Sequence, residues 1–276
     1  MTGAGRGIGR RAASALAAAG ARVVLCARTA GEINEAAVEI RERTSAEALA
    51  VVADLADVSS VRRLAEVVRT RWGGLDIVVN NAATLGPVAE LVDADIEKWI
   101  ATLSANVGGV ATVSHFMIPF MRRGGSIVNL SGGGIGGNAI QANVSAYTAS
   151  KAATAILTET LADECAPRGI RVNAITPGGV ATRLTEAIIE AGPDRAGRRT
   201  YDDAVRQREA PDHLDAFLEL LVWVVSDRAS WLTGRVLSAR WNNIRQLEQM
   251  RPSLGDPSLL RLRRIDGLLF APIDLG

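Results

Sequence analysis

Two side chains able to do acid–base chemistry stand four residues apart near the middle of the chain. Tyr147 and Lys151 bound the stretch YTASK, in a sequence with only two tyrosines and, besides Lys98, no other lysine. Residues four apart share one face of a helix, so the phenol and the ammonium point into the same space. A fixed cation favours phenolate and lowers the pKa of a phenol from its usual ~10. The pair predicts an acid–base centre, with a chance surface pair as the alternative.

A glycine-rich run opens the sequence and is followed at once by a helical pattern. Residues 2–9 read TGAGRGIG, with glycines at positions 3, 7 and 9 and Arg6 and Ile8 between them. Such glycines permit a tight turn and close approach of a ligand, and the helix N-terminus offers free N–H groups to a pyrophosphate. The run predicts a dinucleotide-binding loop formed by Gly3, Arg6, Gly7, Ile8 and Gly9. A purely structural strand-to-helix turn is the alternative.

The residues that would meet the adenosine ribose favour a phosphorylated cofactor. An acid about twenty residues after the glycine run would bind the ribose hydroxyls and favour NAD, but residues 20–31 contain none. Arg28 stands there instead, and an arginine can accept a 2′-phosphate. Arg6 is a second candidate cation. We therefore expect NADP(H) rather than NAD(H), although two surface arginines in an arginine-rich chain remain the alternative.

Short apolar runs and longer amphipathic stretches alternate along the chain. The runs are rich in β-branched residues, which predicts buried strands, and the alternation predicts a parallel sheet with helices on both faces. The fold class is thus α/β, a doubly wound Rossmann-like sheet. Strands are predicted at 22–26, 48–53, 75–79, 126–130, 171–175 and 235–238. Helices are predicted at about 8–19, 31–43, 58–72, 95–122, 147–166 and 212–226.

The 276 residues are expected to form one catalytic domain with an extension. The domain covers 1–240, without a repeat or a linker. Residues 183–211 are polar, contain Gly and Pro, and predict a mobile loop facing the substrate. Residues 241–276 predict a solvated or partner-docked extension.

Composition excludes several classes of function. Thirty-one basic and thirty acidic side chains nearly cancel, and aromatic residues make up 4 %, so neither nucleic acid nor an anionic membrane is an expected partner. Two cysteines in apolar stretches, Cys26 and Cys165, cannot build a disulfide framework or a metal site. The sequence contains neither a secretory signal nor an apolar run long enough to cross a bilayer, so a cytoplasmic location is expected.

Seven motifs in a fixed order resemble the short-chain dehydrogenase/reductase family over about residues 2–240. They comprise TGxxxGxG at 2–9, Asp54-Leu55, NNAA at 80–83, Asn106, Ser131, YTASK at 147–151 and PGGVAT at 177–182. The resemblance implies an NAD(P)-dependent enzyme that interconverts a small ketone and a secondary alcohol, commonly as a homodimer or homotetramer. It implies cofactor contacts at Asp54, Leu55, Asn81, Ala82, Pro177, Gly178, Val180 and Thr182, besides Tyr147 and Lys151.

The same resemblance implies the roles of the chemical groups. Tyr147 would exchange a proton with the carbonyl oxygen as hydride is transferred, and Lys151 would hold the nicotinamide ribose. Ser131 would hydrogen-bond the developing alkoxide, and Asn106 would anchor a water in a proton relay or serve only as a backbone partner interrupting a helix. The alternative function is a cofactor-binding protein that has lost turnover and acts by interaction.

Four features depart from the family pattern. Ser131 lies sixteen residues before Tyr147, farther than usual, which makes Ser145 a second candidate. Ala83 replaces a glycine, which matters little if its φ is negative. The chain reads SARWNN after the last strand, where an acid and two glycines are common. Finally, only Met1 precedes Thr2, where a buried strand is expected, so we expect a further strand upstream and reduced stability without it.

Overall fold

The computed structural model describes residues 1–132, 141–210, 214–253 and 259–261. Within these ranges the strands are all parallel and confirm the predicted doubly wound α/β fold. The strands are β1 (Val23–Ala27), β2 (Ala48–Val52), β3 (Leu75–Asn80), β4 (Met121–Leu130), β5 (Arg171–Thr176) and β6 (Val236–Ser238). The helices are α1 (Gly7–Ala18), α2 (Ala30–Thr44), α3 (Val58–Trp72), α4 (Ile96–Leu103), α5 (Gly109–Met117), α6 (Ser145–Cys165), α7 (Arg183–Ala196), α8 (Arg198–Glu209), α9 (Leu214–Val225) and α10 (Ile244–Gln249).

Helices cover both faces of the sheet because successive strand residues point to opposite sides. On β1, Leu25 packs with α1, α2 and α9, whereas Val24 and Cys26 pack with α3, α5 and α6. On β4, Val128 and Ile127 divide in the same way. Since the strands are parallel, their carboxyl ends meet at one edge, where ligands bind in open α/β sheets.

The sheet is divided in the middle. The described strands form a pair, β1-β2, and a group of four in the order β3-β4-β5-β6. Thr2 bridges the two parts, pairing with Cys26 and donating its amide to the Val79 carbonyl at 3.0 Å. Below this bridge lies a cavity of about 250 Å³, lined from the two helix layers by residues that include Leu16 and Leu64.

The predicted helix 95–122 is wrong in one respect. A π-helical turn, Ser104–Gly108, separates α4 from α5, and β4 begins at Met121. A π turn inserts an extra residue into a helix and redirects its hydrogen bonds, a feature frequent at functional sites. Asn106 lies in this turn and is buried.

The polar segment 183–211 is helical where the structure describes it, which corrects the prediction of a loop. Thr182 and Thr185 form a reciprocal capping box that begins α7. Gly192 and Gly197 have φ of 75° and 74°, which kinks α7 and ends it before α8. The two glycines that suggested a loop therefore mark bends between helical stretches.

The described part of the extension packs on the chain's own core. Leu247 of α10 is buried, and Glu248 accepts hydrogen bonds from Trp223 at 3.1 Å and Arg228 at 2.8 Å. Leu260 accepts a hydrogen bond from the Val236 amide at 2.7 Å. Other side chains of the segment stay in contact with solvent, among them Trp241, which is 72 % exposed, so the described part of the extension is partly packed on the core and partly solvated.

Candidate active site

The glycine-rich loop leads into an uncapped helix N-terminus. No side chain caps α1 at its N-cap residue Arg6, so the amides of its first turn are open to a ligand. Gly3 and Gly7 have positive φ, 61° and 53°, and nothing would lie within 4 Å of a Cβ at Gly7. A Cβ at Gly9 would stand 2.1 Å from the Gly3 carbonyl oxygen. This cradle of backbone donors fits the pyrophosphate of a dinucleotide.

Asn81 and Thr2 tie this loop to the end of β3. The Asn81 side-chain amide donates to the carbonyls of Thr2 at 2.8 Å and Gly3 at 3.1 Å. The Thr2 hydroxyl accepts the amides of Asn81 at 3.0 Å and Ala82 at 3.1 Å. Ala83 does not have a positive φ, so alanine replaces the usual glycine without strain. Asn81 and Ala82 thus border the glycine-rich loop.

The cations predicted for the adenosine end differ in their surroundings. Arg28 is exposed just after β1 and has no ion pair among the described residues. Arg6 pairs with Glu32 at 2.9 Å, and Arg183 approaches the same carboxylate at 4.0 Å. Sequence reasoning missed Glu32 because the search for an acid ended at residue 31, one position short.

The other expected cofactor residues also lie along the carboxyl edge. Asp54 is exposed after β2, where its carboxylate accepts the Ala56 amide at 3.0 Å, and the neighbouring Leu55 lies against α5 at Gly109. After β5, Pro177 is buried and Gly178 turns the chain with φ of 88°.

The segment between β5 and α7 continues this edge. The buried Val180 accepts the side-chain amide of Gln207 at 2.7 Å, and Thr182 begins α7. The structure therefore brings the whole predicted cofactor set to one edge of the sheet.

Tyr147 and Lys151 lie one turn apart on α6, as their spacing predicts. The Lys151 ammonium is buried, donates to the Leu130 carbonyl at 2.8 Å and lies 5.5 Å from the centre of the Tyr147 ring. A Cβ at Gly132 would stand 3.0 Å from the Tyr147 hydroxyl and 2.9 Å from Cγ of Lys151. Glycine at 132 therefore allows the backbone after β4 to lie directly against both groups.

Burial dominates the protonation of this pair. It raises the pKa of Tyr147 to about 12 and lowers the pKa of Lys151 to about 8. The expected lowering of the Tyr147 pKa by Lys151 is therefore wrong for this state of the protein. The ammonium donates to a carbonyl rather than to the phenol, while desolvation disfavours both charged forms. In this arrangement Tyr147 is a neutral phenol, able to donate a proton.

The two candidate serines are each engaged elsewhere. The buried Ser131 hydroxyl donates to the Lys151 carbonyl at 3.2 Å. Ser145 accepts the indole N–H of Trp99 at 3.0 Å. Residues 133–140, which contain most of the GGGIGG run, lie outside the described part of the chain. Of the two serines, Ser131 is the one in contact with the Tyr147–Lys151 pair.

Asn106 is joined to Tyr147 through Ser150, which sequence reasoning missed. The Asn106 side chain accepts the Thr84 amide at 2.8 Å, donates to the Thr84 carbonyl at 2.8 Å, and donates to the Ser150 hydroxyl at 2.9 Å. Ser150 in turn donates to the Tyr147 carbonyl at 2.7 Å. In the sequence, only the position of Ser150 directly before Lys151 could have indicated that it belongs to the site. The backbone-partner role of Asn106 is thus present in the structure.

Helices α7 and α8, here called the cap, close over the N-terminal end of α6. Asn143, with φ of 62°, donates to the Arg195 carbonyl at 2.8 Å. Thr200 donates to the Ala142 carbonyl at 3.0 Å. These bonds hold the cap beside the residues that precede Tyr147, so the predicted substrate-facing segment lies next to the chemical pair.

Other functional features are absent from the part of the chain that the structure describes. No group of three or more His, Cys, Asp or Glu side chains there could hold a metal ion. None of the helices described is long and apolar enough to cross a bilayer.

Comparison with known proteins agrees with this geometry. The family model for short chain dehydrogenase matches residues 1–192. A short chain dehydrogenase/reductase of Aspergillus oryzae is 35 % identical over 245 residues, 86 % of this chain and 91 % of that protein.

Solved structures share the fold. The structure of a putative short chain dehydrogenase from Shigella flexneri complexed with NADP has a TM-score of 0.73 at 28 % identity, covering 87 % of this chain and 95 % of the other. NAD⁺-bound xylitol dehydrogenase has a TM-score of 0.74 at 27 % identity, covering 86 % and 95 %. The chain therefore belongs to the short-chain dehydrogenase/reductase family and is an oxidoreductase of that family.

Proposed function

We propose that this chain interconverts a ketone and a secondary alcohol, using NADP(H) and Tyr147 as the acid or base. The observation that carries the proposal is the position of Tyr147 and Lys151, which meet Gly132 and Leu130 at the carboxyl end of β4. When bound, the nicotinamide supplies or accepts the hydride. Tyr147 gives its proton to the carbonyl oxygen during reduction and takes it back during oxidation.

The neighbouring groups support this proton transfer. Lys151 carries its charge below pH about 8 and can place it beside the nicotinamide ribose. We assign Ser131 to hydrogen-bonding of the substrate oxygen, which requires its hydroxyl to leave the Lys151 carbonyl. Asn106 holds Thr84 and Ser150 and can orient a water toward Lys151.

Arg28 supports a preference for NADP(H). Its guanidinium is exposed at the end of β1 and has no acidic partner among the described residues. Arg6 is partly neutralised by Glu32, so Arg28 is the stronger candidate for the 2′-phosphate. The comparisons include both an NADP complex and an NAD⁺ complex, so this preference rests on the arginine.

We also propose that the chain assembles with identical subunits and is located in the cytoplasm. Four apolar side chains on or just before α4 are more than half exposed, which favours a homodimer or homotetramer. They are Leu91, Val92, Ile96 and Ile100. Free thiols at the buried Cys26 and Cys165 favour a reducing compartment.

The test follows NADPH consumption against a panel of ketones. We expect turnover by the unaltered chain and a loss of at least ~100-fold in kcat/KM for Tyr147→Phe, which removes only the hydroxyl. Thr148→Val, a neighbouring change of similar size, serves as the control. NADPH binding without turnover of any ketone would contradict the proposal and favour the alternative, a cofactor-binding protein that acts by interaction.

A further inference from the structure

Glu32 places a carboxylate against the glycine-rich loop. It lies in the first turn of α2, and a Cβ added at Gly5 would stand 2.9 Å from the Glu32 Cβ and 3.1 Å from its Oε2. Its other oxygen, Oε1, accepts a hydrogen bond from Arg6 at 2.9 Å. Arg6 is the N-cap residue of α1, whose first amides are open to an anion. An acidic side chain therefore lies beside backbone donors that fit a phosphate.

Arg183 approaches the same carboxylate from the cap. Its guanidinium lies 4.0 Å from Oε1 of Glu32, and its side chain is 71 % exposed. It forms no hydrogen bond and no other ion pair among the residues that the structure describes. Arg183 is the first residue of α7 and directly follows Thr182, the last residue of a motif expected to contact the cofactor. The cap thus presents an arginine to the cofactor edge of the sheet.

Two guanidinium groups share a single carboxylate at this point. Glu32 compensates one positive charge, so the other charge of the Arg6 and Arg183 pair has no acidic partner there. The pyrophosphate of a dinucleotide carries two negative charges, and a guanidinium binds a pair of phosphate oxygens through parallel N–H groups. A pyrophosphate on the α1 amides would therefore be a stronger partner for both arginines than Glu32 is, and it would repel the Glu32 carboxylate.

We infer that Arg183 is a further cofactor-binding residue, which exchanges Glu32 for the pyrophosphate when the dinucleotide binds. Glu32 competes with the pyrophosphate for both arginines and so weakens cofactor binding. The contact rests on the proposed use of a dinucleotide. It adds a partner from the cap, so that cofactor binding also holds the start of α7 against the glycine-rich loop.

Dissociation constants from titration calorimetry test the contact without any turnover. Arg183→Gln should raise the Kd of NADPH and of NADH alike, by about fivefold to tenfold, because both cofactors contain the pyrophosphate. The Kd of adenosine 2′-monophosphate, which lacks the pyrophosphate, should not change. Arg198→Gln, which alters an exposed arginine at the start of α8, is the control. An unchanged Kd for NADH, or a loss confined to the 2′-phosphorylated ligands, would overturn the inference.

Glu32→Gln should have the opposite effect. Removing the competing charge should lower the Kd of NADPH and of NADH by about threefold or more, and this gain should shrink when Arg183→Gln is also present. Glu35→Gln, the same change of charge at an exposed position of α2, should leave both constants unaltered. Weaker binding of both cofactors after Glu32→Gln would overturn the inference, because Glu32 would then be a partner of the ribose hydroxyls.

Turnover separates a failure of this contact from a failure of the proposed function. If Arg183→Gln binds NADPH as tightly as the unaltered chain does, and the unaltered chain reduces a ketone, only the Arg183 contact is wrong. If the Kd values change as expected and the unaltered chain reduces no ketone of the panel, the proposed function is wrong and the contact stands. Thermal melting confirms that each variant is folded before its binding is measured.

Discussion

The positive charge of Lys151 is buried, and it lowers the free energy of unfolding by an amount that depends on pH. Burial lowers the pKa of its ammonium from 10.5 to about 8. Between pH about 8 and 10.5, the Lys151 side chain is neutral in the folded protein but still protonated in the unfolded protein. The unfolded state then binds more protons, so the free energy of unfolding rises with pH over this window. At neutral pH the buried charge therefore opposes folding.

Lys151→Met should make the protein more stable and less active. We expect the free energy of unfolding at pH 7 to increase by on the order of 1 kcal/mol, and its rise between pH 8 and 10 to flatten, because the titrating group is gone. Urea unfolding at pH 7, 8 and 10 measures both effects. Lys98→Met removes a side chain that is 76 % exposed and should keep the pH dependence. If Lys151→Met leaves the pH dependence of the free energy of unfolding unchanged, Lys151 is not the group that titrates in this range.

Arg28→Asp should reverse the cofactor preference. Replacing the cation by an acid removes the partner of the 2′-phosphate and adds a partner for the ribose hydroxyls. We expect the ratio of kcat/KM for NADPH to that for NADH to fall by about 10- to 100-fold, from steady-state rates with one ketone. Arg69→Asp, an exposed arginine on α3, is the control. An unaltered ratio means that Arg28 does not bind the phosphate.

The positions of Tyr147 and Lys151 on one helix could be predicted from the sequence, but the direction in which their pKa values shift could not. The spacing of Tyr147 and Lys151 was enough to place both on one helix face. Which influence dominates their pKa values depends on how closely Gly132 and Leu130 pack against them, and that packing involves a distant strand. Coulomb attraction was the expectation from sequence, whereas desolvation dominates in the structure.

At the level of secondary structure, the π turn in the α4–α5 helix is held by one side chain. Asn106 supplies three hydrogen bonds to Thr84 and Ser150 in a buried setting. Asn106 was expected as a functional residue from its motif, but its turn could not be read from the sequence. The apolar pattern of the sequence runs without a break across 95–122, so it predicts one continuous helix. The π turn depends on hydrogen bonds between Asn106 and the residues Thr84 and Ser150, which are distant from it in the sequence.

Asn106→Ala should destabilise the fold by about 2–4 kcal/mol, because the Thr84 N–H and C=O lose their partner. Denaturant unfolding measures the loss. Ser114→Ala on α5 is the matched control, since the buried Ser114 hydroxyl has no hydrogen-bond partner among the described residues. That control should change stability by less than about 0.5 kcal/mol. Equal effects of the two substitutions would contradict the role given to Asn106.

At the level of the whole molecule, the exposed apolar residues near α4 predict assembly. Ile96 and Ile100 share a helix face and are 55 % and 56 % exposed, and Val92 is 85 % exposed. Burying them against a second copy would remove apolar area from water. The alternation of strand and helix predicted the fold, but it could not predict this surface, because a helix pattern does not tell which apolar residues remain uncovered.

The double substitution Val92→Asp/Ile100→Asp should produce a smaller species than the unaltered chain. Light scattering after size exclusion measures the molar mass of both at equal concentration. Val38→Asp/Val67→Asp, two exposed apolar side chains on α2 and α3, tests whether any loss of apolar surface has the same effect. An unaltered mass for the α4 variant would show that this patch is not the contact.

The two parts of the sheet each supply residues predicted to bind the cofactor. Arg28 and Asp54 follow strands of the β1-β2 pair, whereas Asn81 follows β3 and Pro177 follows β5. Thr2 joins the two parts, because it pairs with Cys26 of β1 and donates its amide to the Val79 carbonyl of β3. A dinucleotide bound along the carboxyl edge would therefore contact both parts at once, and its binding should slow amide hydrogen exchange in β1 and β2 as well as in β3.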